Sequence, residues 1–311
     1  MQFFDKTNID FVAKRKILLT VSLSTIVFGL IIAFVFPPKF GIDFTGGTEV
    51  GVKFEKTMST SELRTAVSEI GFESSEIKTF GSEGSFLIRI KDSDNAPEIL
   101  KSGLNNKFSD NPHEVLKVDK IGPKIGNEMR SQAFLAILFS AIVILLYLAF
   151  RFEFSFGLAA LVALVHDIMV TFLIVIIFQK TGIFSLEIDQ TILAAMLTVV
   201  GYSINDTVII FDRVRENREI IKGKSLVSIF NRSINETLSR SVNTTLTTEV
   251  VLLVLLFFGG PTLEGFAFTM LVGFIVGTYS SIFIATPFAL WYFTNVKKTD
   301  IGENDVKTVT A

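Results

Sequence analysis

The sequence contains no cysteine and only two histidines, His113 and His166. Disulfide bonds, thiolate nucleophiles and cysteine metal ligands are therefore excluded, and a metal centre built from several histidines is excluded as well. The sequence also shows no grouping of a nucleophile, a base and an orienting residue of the kind that hydrolytic enzymes require. We therefore expect a protein without enzymatic chemistry, bound metal or bound cofactor.

An excess of either charge is missing too, because 29 basic and 31 acidic residues give a net charge of -2. This balance does not indicate a nucleic-acid partner. Apolar residues are abundant instead: they make up 49% of the chain, and the mean hydropathy is +0.52. Several apolar runs approach or exceed the roughly 20 residues that cross a lipid bilayer as a helix. The composition therefore predicts a multi-pass membrane protein.

We predict six transmembrane helices, at about residues 17–36, 132–150, 156–178, 190–211, 241–258 and 266–293. Their orientation follows from the basic residues. The leader 1–16 and the predicted loop 212–240 are rich in lysine and arginine, whereas the two short connections on the other side contain only Lys180. Both termini, including the tail 294–311, are therefore predicted to be cytoplasmic. The leader is interpreted as uncleaved, because no small-residue cleavage site follows the first apolar run.

The basic residues of the loop 212–240 have two interpretations. They either serve only to fix the orientation of the helices, or they also contact anionic lipid or a cytoplasmic partner. The lipid bilayer itself is in both cases a partner of the chain.

Residues 37–125 are predicted to form a small periplasmic domain between the first two helices. Val50, Val52 and Phe54 alternate with other residues as in a half-buried strand. Ser59 and Glu62 have the spacing of a helix-capping box. Further patterns give the order β-α-β-β-α-β, which is typical of the ferredoxin-like fold. The predicted fold class is a six-helix membrane bundle, with residues 126–293 forming helices two to six, and a small α+β outer domain.

The motif GIDFTGG at residues 41–47 has two interpretations. Its two adjacent glycines either let the chain bend sharply between the first helix and the first strand, or they belong to a phosphate-binding loop. The second interpretation requires a Lys-Ser or Lys-Thr pair at a fixed spacing and a helix that starts at the loop, and neither is present. The bend is therefore the prediction.

The segment 201–217, GYSINDTVIIFDRVREN, places polar residues inside an apolar helix. Asn205 and Asp206 are followed by the apolar residues 208–211, so we interpret Asp206 as lying within the membrane and not at interfacial water. An ionised carboxylate in a bilayer is costly unless it is paired, hydrated or protonated, and such residues mark ion pathways and proton relays. Asp206 is therefore the first candidate for a functional residue, with Asn205 beside it.

Two charged residues belong to the fifth helix. Arg240 enters the membrane on the same side as Asp206, so it either forms an ion pair with a neighbouring helix or anchors its own helix at the headgroups. Glu249 lies nine residues later, which is about 900° of helical rotation and hence the opposite face. Glu249 therefore needs another partner or stays protonated.

The third helix contains His166 and Asp167 near its middle. Adjacent positions of a helix point about 100° apart, so the two side chains can flank one groove between helices. They are either structural, each hydrogen-bonded to a neighbouring helix, or part of a polar pathway.

Small residues mark the last two helices as interior. The fifth helix is rich in hydroxyl residues, namely Ser241, Thr244, Thr245, Thr247 and Thr248. The sixth helix has Gly273 and Gly277 four positions apart. Such residues let helices approach closely, so we expect both helices to pack inside the bundle.

Together these motifs resemble the SecF family of bacterial protein-export subunits, a branch of the RND superfamily, over residues 9–296. The resemblance is carried by GIDFTGGT at 41–48, VHD at 165–167, the segment 201–217, TLSRSVNTTLTT at 237–248 and LFFGG at 256–260. Two residues depart from the family pattern: Glu249 stands where an apolar residue is expected, and Ser241 replaces a more usual threonine.

The resemblance implies half of a twelve-helix transporter, with SecD as the second half. It further implies the SecYEG channel, YajC and YidC as partners, SecA acting indirectly, and a location in the bacterial inner (plasma) membrane. Proton motive force, with protons as the coupling ion, would help to draw a translocating preprotein out of the channel. Asp206 matches a position implicated in proton conduction, and Arg240 matches an arginine thought to pair with a SecD aspartate. A passive scaffold and a homodimeric small-molecule RND exporter are the alternatives.

Overall fold

The computed structural model describes residues 7–73, 75–79, 83–90, 95–221 and 223–298. The first residues of the predicted leader, part of the predicted hairpin turn, Lys222 in the predicted basic loop and the tail beyond residue 298 lie outside this description. Within it, six helices are long and apolar enough to cross a membrane. This number agrees with the prediction.

The first of these helices, α1 (Arg15–Val35), leads into an α+β domain. The elements of this domain are α2 (Ile42–Thr45), β1 (Gly47–Phe54), α3 (Thr60–Glu69), β2 (Glu76–Thr79), β3 (Ser85–Ile90), α4 (Ala96–Lys107) and β4 (His113–Ile121). The strands form one antiparallel sheet in the order β2-β3-β1-β4. This topology confirms the predicted ferredoxin-like fold. His113 is the first residue of β4, which is one of the two edge strands of this sheet.

The core of the α+β domain lies between the sheet and the helices α3 and α4. Val52 of β1, Leu63 of α3 and Leu100 of α4 are fully buried in it. The start of α3 is fixed by Ser59, whose hydroxyl accepts a hydrogen bond from the Glu62 backbone N–H at 3.1 Å, as the capping spacing predicts. The other face of the sheet carries Glu49, which is paired in register with a residue of β3.

Gly46 and Gly47 allow the α+β domain to lie close to the bundle. Both have positive φ angles, 71° and 130°, which residues other than glycine rarely adopt. A Cβ atom on Gly46 would lie 2.9 Å from the Cα atom of Pro123, the first residue of the next long helix. The motif therefore forms the predicted bend, and it also permits a close backbone approach that the sequence did not reveal.

The remaining helices complete the membrane bundle. They are α5 (Pro123–Arg151), α6 (Phe154–Gln179), α7 (Gln190–Ile220), α8 (Leu226–Phe258), α9 (Pro261–Ser280) and α10 (Thr286–Asn295). A π-helical turn at Ser281–Ala285 joins α9 and α10 into one span. The helix α9 packs against α6, α7 and α8 and is the most buried, whereas α1 and α5 are mostly exposed.

The prediction of a loop at 212–240 is wrong. Helix α7 continues to Ile220, and α8 begins at Leu226. The charged ends of both helices stay helical because they are ion-paired one turn apart, as Arg213 is with Glu216 at 2.6 Å, and because the Ser225 hydroxyl caps α8. Hydropathy marks where a helix leaves an apolar environment, and these helices extend beyond that point.

The glycines of α9 form the predicted contact face, and its partner is α7. A Cβ atom on Gly273 would overlap the side chain of Val199, and one on Gly277 would lie 2.9 Å from the Cβ atom of Ser203. The backbone of α9 therefore packs directly against the side chains of Val199 and Ser203 on α7.

A methyl group at Gly273 should force α7 and α9 apart. We expect Gly273→Ala to lower the free energy of unfolding by about 1–3 kcal/mol, the usual cost of overpacking a core. The measurement is the apparent melting temperature of the purified protein in detergent. Gly201→Ala is the matched control, because a Cβ atom at that position of α7 meets open space. Equal melting temperatures for both variants and the native protein would contradict the close contact.

Candidate functional site

Asp206 lies where three helices of the bundle meet. It belongs to α7, and only 3% of its surface is exposed. The Thr278 hydroxyl of α9 donates a hydrogen bond to Asp206 Oδ2 at 3.1 Å. Thr278 is in turn 2.7 Å from the Thr245 hydroxyl of α8. Because the Thr278 proton points to the carboxylate, Thr245 donates to Thr278. The structure thus places the predicted carboxylate at the end of a short chain of hydroxyl groups.

A second hydroxyl group lies beside Asp206. Ser241 of α8 is buried close enough to the carboxylate for its hydroxyl to interact with it, although its Oγ makes no hydrogen bond of regular geometry with a described residue. A buried hydroxyl without a partner is costly. Ser241 is therefore available as an alternative donor to Asp206.

Asn205 and Arg240 do not contact Asp206 directly. Both side chains are exposed on the surface formed by α7 and α8. Arg240 is close enough for its charge to act on Asp206. It forms no ion pair with a described residue at an N–O distance of 4.0 Å or less. It lines a groove of about 740 Å³ between α7 and α8, together with Ile209 and charged residues such as Asp212. Within the described part of the chain, Arg240 therefore has no ion-pair partner.

His166 and Asp167 form a separate, buried polar cluster. His166 Nδ1 is 2.9 Å from Asp167 Oδ1. The hydroxyls of Ser203 and Ser280 both donate to Asp167 Oδ2, at 2.5 Å and 2.7 Å. His166 Nε2 makes a hydrogen bond with the Ser22 hydroxyl of α1. The cluster joins α1, α6, α7 and α9.

Glu249 stands apart from both groups. It is buried in α8, and its Oε1 has no hydrogen-bond partner among the described residues. Arg240 is exposed on the same helix, which agrees with the predicted placement of the two residues on opposite faces. The structure brings Glu249 to neither Asp206 nor Asp167.

The hydroxyl partners of the two carboxylates were not identified from the sequence. Ser22, Ser203 and Thr278 are hydroxyl residues in apolar helices that contain other hydroxyl residues too, and such residues are common there as packing positions. For α7 the sequence did contain one indication that Ser203 lies on the functional face. Ser203 and Asp206 are three residues apart, so their side chains lie on the same face of the helix.

Ion pairs join the α+β domain to the connection between α6 and α7. Glu187 of this connection pairs with Lys78 and Arg89 of the domain. Arg89 also holds Glu49 at 2.9 Å, and Lys117 reaches the other oxygen of Glu49 at 2.8 Å. Burial acts to raise the pKa of Glu49, but the hydrogen bonds and charges of Lys117 and Arg89 outweigh it, so the pKa lies below its usual value.

Backbone contacts reinforce this junction next to the start of α7. The Gly41 N–H donates to the Ile188 carbonyl at 2.8 Å, and the Ile188 N–H donates to the Lys39 carbonyl at 3.0 Å. The Gln190 N–H, at the first position of α7, donates to Asp43 Oδ2 at 2.8 Å. The helix that carries Asp206 is therefore attached to the α+β domain at its first residue.

Comparison with known proteins identifies the family. The family model for the C-terminal region of the protein export membrane proteins SecD/SecF matches residues 101–295, and the model for the SecD/SecF GG motif matches residues 31–58. The chain belongs to the SecD/SecF family of protein export membrane proteins. Like other members of the SecD/SecF family, it is a multi-pass membrane protein.

Individual relatives extend the similarity over most of the chain. The protein translocase subunit SecF of Desulfurispirillum indicum is 44% identical over 80% of both chains. The protein translocase subunit SecF of Petrotoga mobilis is 37% identical, over 94% of this chain and 98% of its own. Within the SecD/SecF family, the chain is therefore similar in length to SecF subunits.

Solved SecDF structures show the same fold. The crystal structure of SecDF from Thermus thermophilus superposes with a TM-score of 0.83 and 33% identity over 95% of this chain. A SecDF structure in a super-membrane-facing form gives a TM-score of 0.70 and 32% identity. This chain spans 40% of the length of either SecDF chain.

The junction should depend on pH through Glu49. Since the pKa of Glu49 is lowered in the folded protein, its contribution to stability is complete above the unfolded value of about 4.3 and is lost as the pH falls through the lower folded value. We expect Glu49→Gln to lower the free energy of unfolding at neutral pH by about 1–3 kcal/mol, because Lys117 and Arg89 lose a charged acceptor. The measurement is the apparent melting temperature in detergent.

Acidification through that range should then destabilise the native protein more than Glu49→Gln. Glu55→Gln is the matched control, because Glu55 is exposed just after β1 and has no ion pair with a described residue. If Glu49→Gln and Glu55→Gln had the same melting temperature at every pH, Glu49 would not support the junction.

Proposed function

We propose that this chain is a SecF-like accessory subunit of the Sec preprotein translocase, which works with SecD and uses the proton motive force to promote late steps of protein export. The observation that carries the proposal is the setting of Asp206. This carboxylate is buried in a membrane helix, accepts a hydrogen bond from Thr278, and lies beside the Ser241 hydroxyl, which is a second potential donor. A carboxylate with two alternative partners can change its contacts when it gains or loses a proton.

The proposed cycle uses these two partners. When Asp206 is charged, it accepts hydrogen bonds and is attracted by the nearby Arg240; when it is protonated, that attraction disappears and the carboxyl group can itself donate. The membrane potential supplies enough free energy for a conformational step, because one elementary charge that crosses 100 mV provides about 2.3 kcal/mol. We infer that each proton changes the packing of α7 against α8 and α9.

The change would reach the α+β domain through α7. This helix carries Asp206 and begins at Gln190, whose N–H is bonded to Asp43 of the domain. Because a helix transmits a shift along its axis, a movement of α7 at Asp206 would act on the junction that contains Glu187. We propose that movement of this domain on the outer side of the inner membrane helps to draw the preprotein out of the SecYEG channel.

The proposed partner SecD would cover the exposed polar surface of α7 and α8. Asn205 and Arg240 lie on this surface, and so do Thr244 and Thr247. Polar and charged side chains that face lipid are costly, and they are usually satisfied by a partner helix or a water-filled cavity. The SecD half of a twelve-helix transporter is such a partner. The further proposed contacts are with SecYEG, YajC and YidC, and indirectly with SecA; both termini are proposed to be cytoplasmic.

Asp206→Asn should separate proton coupling from assembly. The change preserves size but removes titration, so we expect the gradient-dependent part of translocation to disappear while the ATP-driven part remains. The measurement is preprotein translocation into inverted membrane vesicles, with and without a proton gradient, at matched levels of SecD. Asn205→Asp, Asp206→Asn serves as a control that restores a carboxylate one position away, on the exposed face; it should not restore the response.

Two results would contradict the coupling role. If Asp206→Asn and the native chain respond equally to the gradient, the proton route lies elsewhere, and a passive scaffold describes the protein better. If Asp206→Asn abolishes assembly with SecD, Asp206 has a structural role in the complex and not a coupling role.

A photoreactive amino acid at position 205 should identify the neighbour of the polar surface. We expect benzoylphenylalanine in place of Asn205 to cross-link to SecD in native membranes, because the exposed polar groups require a partner there. The same substitution at Phe139, which is exposed on the apolar helix α5, is the control and should cross-link more weakly. Cross-linking of position 205 to a second copy of this chain would favour the homodimeric exporter instead.

A further inference from the structure

The proposed cycle gives no role to the cluster of His166 and Asp167. Asp167 is only 1% exposed, and both of its oxygens are occupied. Oδ1 is bonded to His166, and Oδ2 accepts from Ser203 of α7 and Ser280 of α9. One carboxylate on α6 therefore ties two other helices together.

The helices tied by Asp167 are the same two that hold Asp206 and its donor. Ser203 precedes Asp206 by three residues on α7, which is about 4.5 Å along the helix. Ser280 follows Thr278 by two residues on α9. Because residues two apart point about 200° apart on a helix, Thr278 and Ser280 lie on opposite sides of Gly277, and their bonds to Asp206 and Asp167 lie on the two sides of one helix contact.

The helix contact at this level is tight. A Cβ atom on Gly277 would lie 2.9 Å from the Cβ atom of Ser203, so Ser203 of α7 packs here directly against the backbone of α9. The Ser203 and Ser280 hydroxyls can converge on one oxygen because of this proximity. A separation of α7 from α9 would break at least one of these two bonds.

The other side of Asp167 is anchored to α1. His166 holds Oδ1 of Asp167 and is itself bonded to Ser22. Its ring also stacks on Tyr279, whose hydroxyl donates to the Leu18 carbonyl of α1 at 2.6 Å. Asp167 cannot turn towards another partner without leaving His166 unsatisfied in an apolar environment, where a lost hydrogen bond is costly.

Asp167 and Asp206 are therefore held differently. Asp167 has three hydrogen-bond partners, whereas Asp206 accepts one hydrogen bond of regular geometry, from Thr278, and lies beside the Ser241 hydroxyl. We propose that Asp167 is a positioning residue for Asp206: it clamps α7 to α9 through Ser203 and Ser280, and so fixes the distance between Asp206 and Thr278. The inference rests on the proposed function, since it takes Asp206 as the proton-carrying group.

The test compares Asp167→Asn and Ser203→Ala with the native chain in inverted vesicles that contain SecD. Ser203→Ala is included because it removes one bond of the clamp and leaves the carboxylate buried. We expect each variant to lower the gradient-dependent part of translocation by about two- to thirty-fold, the usual size of a coupling change. The ATP-driven part should stay unchanged at equal membrane levels. Thr171→Val is the matched control, because Thr171 is buried one turn after Asp167 and its hydroxyl has no partner among the described residues.

A spectroscopic measurement distinguishes positioning from a merely structural role. The carboxyl band of Asp206 in infrared difference spectra of the purified complex with SecD is identified by its loss in Asp206→Asn. We expect this band to shift in Ser203→Ala and to stay in place in Thr171→Val, because only the first change alters the distance to Thr278.

Two outcomes would overturn the proposal. In one, Ser203→Ala and Asp167→Asn keep the native gradient response and the native band. In the other, both parts of translocation fall together while the Asp206 band is unchanged, which would make Asp167 a structural tie only. The Asp206→Asn arm is independent: if it retained the full gradient response, the proposed function would fail, whatever the result for Ser203→Ala.

Discussion

A buried carboxylate in a membrane bundle needs hydrogen-bond donors from the surrounding helices, because the hydrocarbon core offers no water. Both intramembrane aspartates satisfy this constraint through α9. Thr278 donates a hydrogen bond to Asp206, and Ser280 donates one to Asp167. The glycines of α9 make these bonds possible, since only a helix with a narrow face lets α7 approach so closely. The central position of α9 therefore allows close packing of the helices and also supplies hydrogen-bond donors to both carboxylates.

The number of donors separates the two carboxylates. Asp167 is saturated and connects four helices, so it belongs to the fixed part of the bundle. Asp206 accepts one hydrogen bond of regular geometry, lies beside the Ser241 hydroxyl, and is close enough to Arg240 for its charge to act on the carboxylate. A device that converts a proton into movement needs both kinds of site: a group that changes partners, and a frame that keeps those partners within reach. At the far end of α7, the bonded α+β domain supplies the element that would move.

The sequence predicted the fold class well, because six apolar runs and a β-α-β-β-α-β pattern are strong periodic signals. It also selected Asp206, since a carboxylate inside an apolar run is conspicuous. It did not predict the donors, because serine and threonine residues such as Ser22 and Ser203 are common in membrane helices as packing residues. Nor did it predict the helical extent of residues 212–240, where hydropathy falls although the helices continue as ion-paired ends. Helix order and backbone approach, as at Gly46, depend on tertiary contacts that no local pattern encodes.

The most direct test of proton coupling is proton flux through the reconstituted pair of this chain and SecD. Proteoliposomes with an internal pH-sensitive dye, subjected to a membrane potential, should acidify with the native pair. They should remain at the level of empty liposomes with Asp206→Asn, because the carboxyl group that would carry the proton is gone. Equal flux for the native chain and Asp206→Asn would contradict the central claim that Asp206 carries the coupling proton.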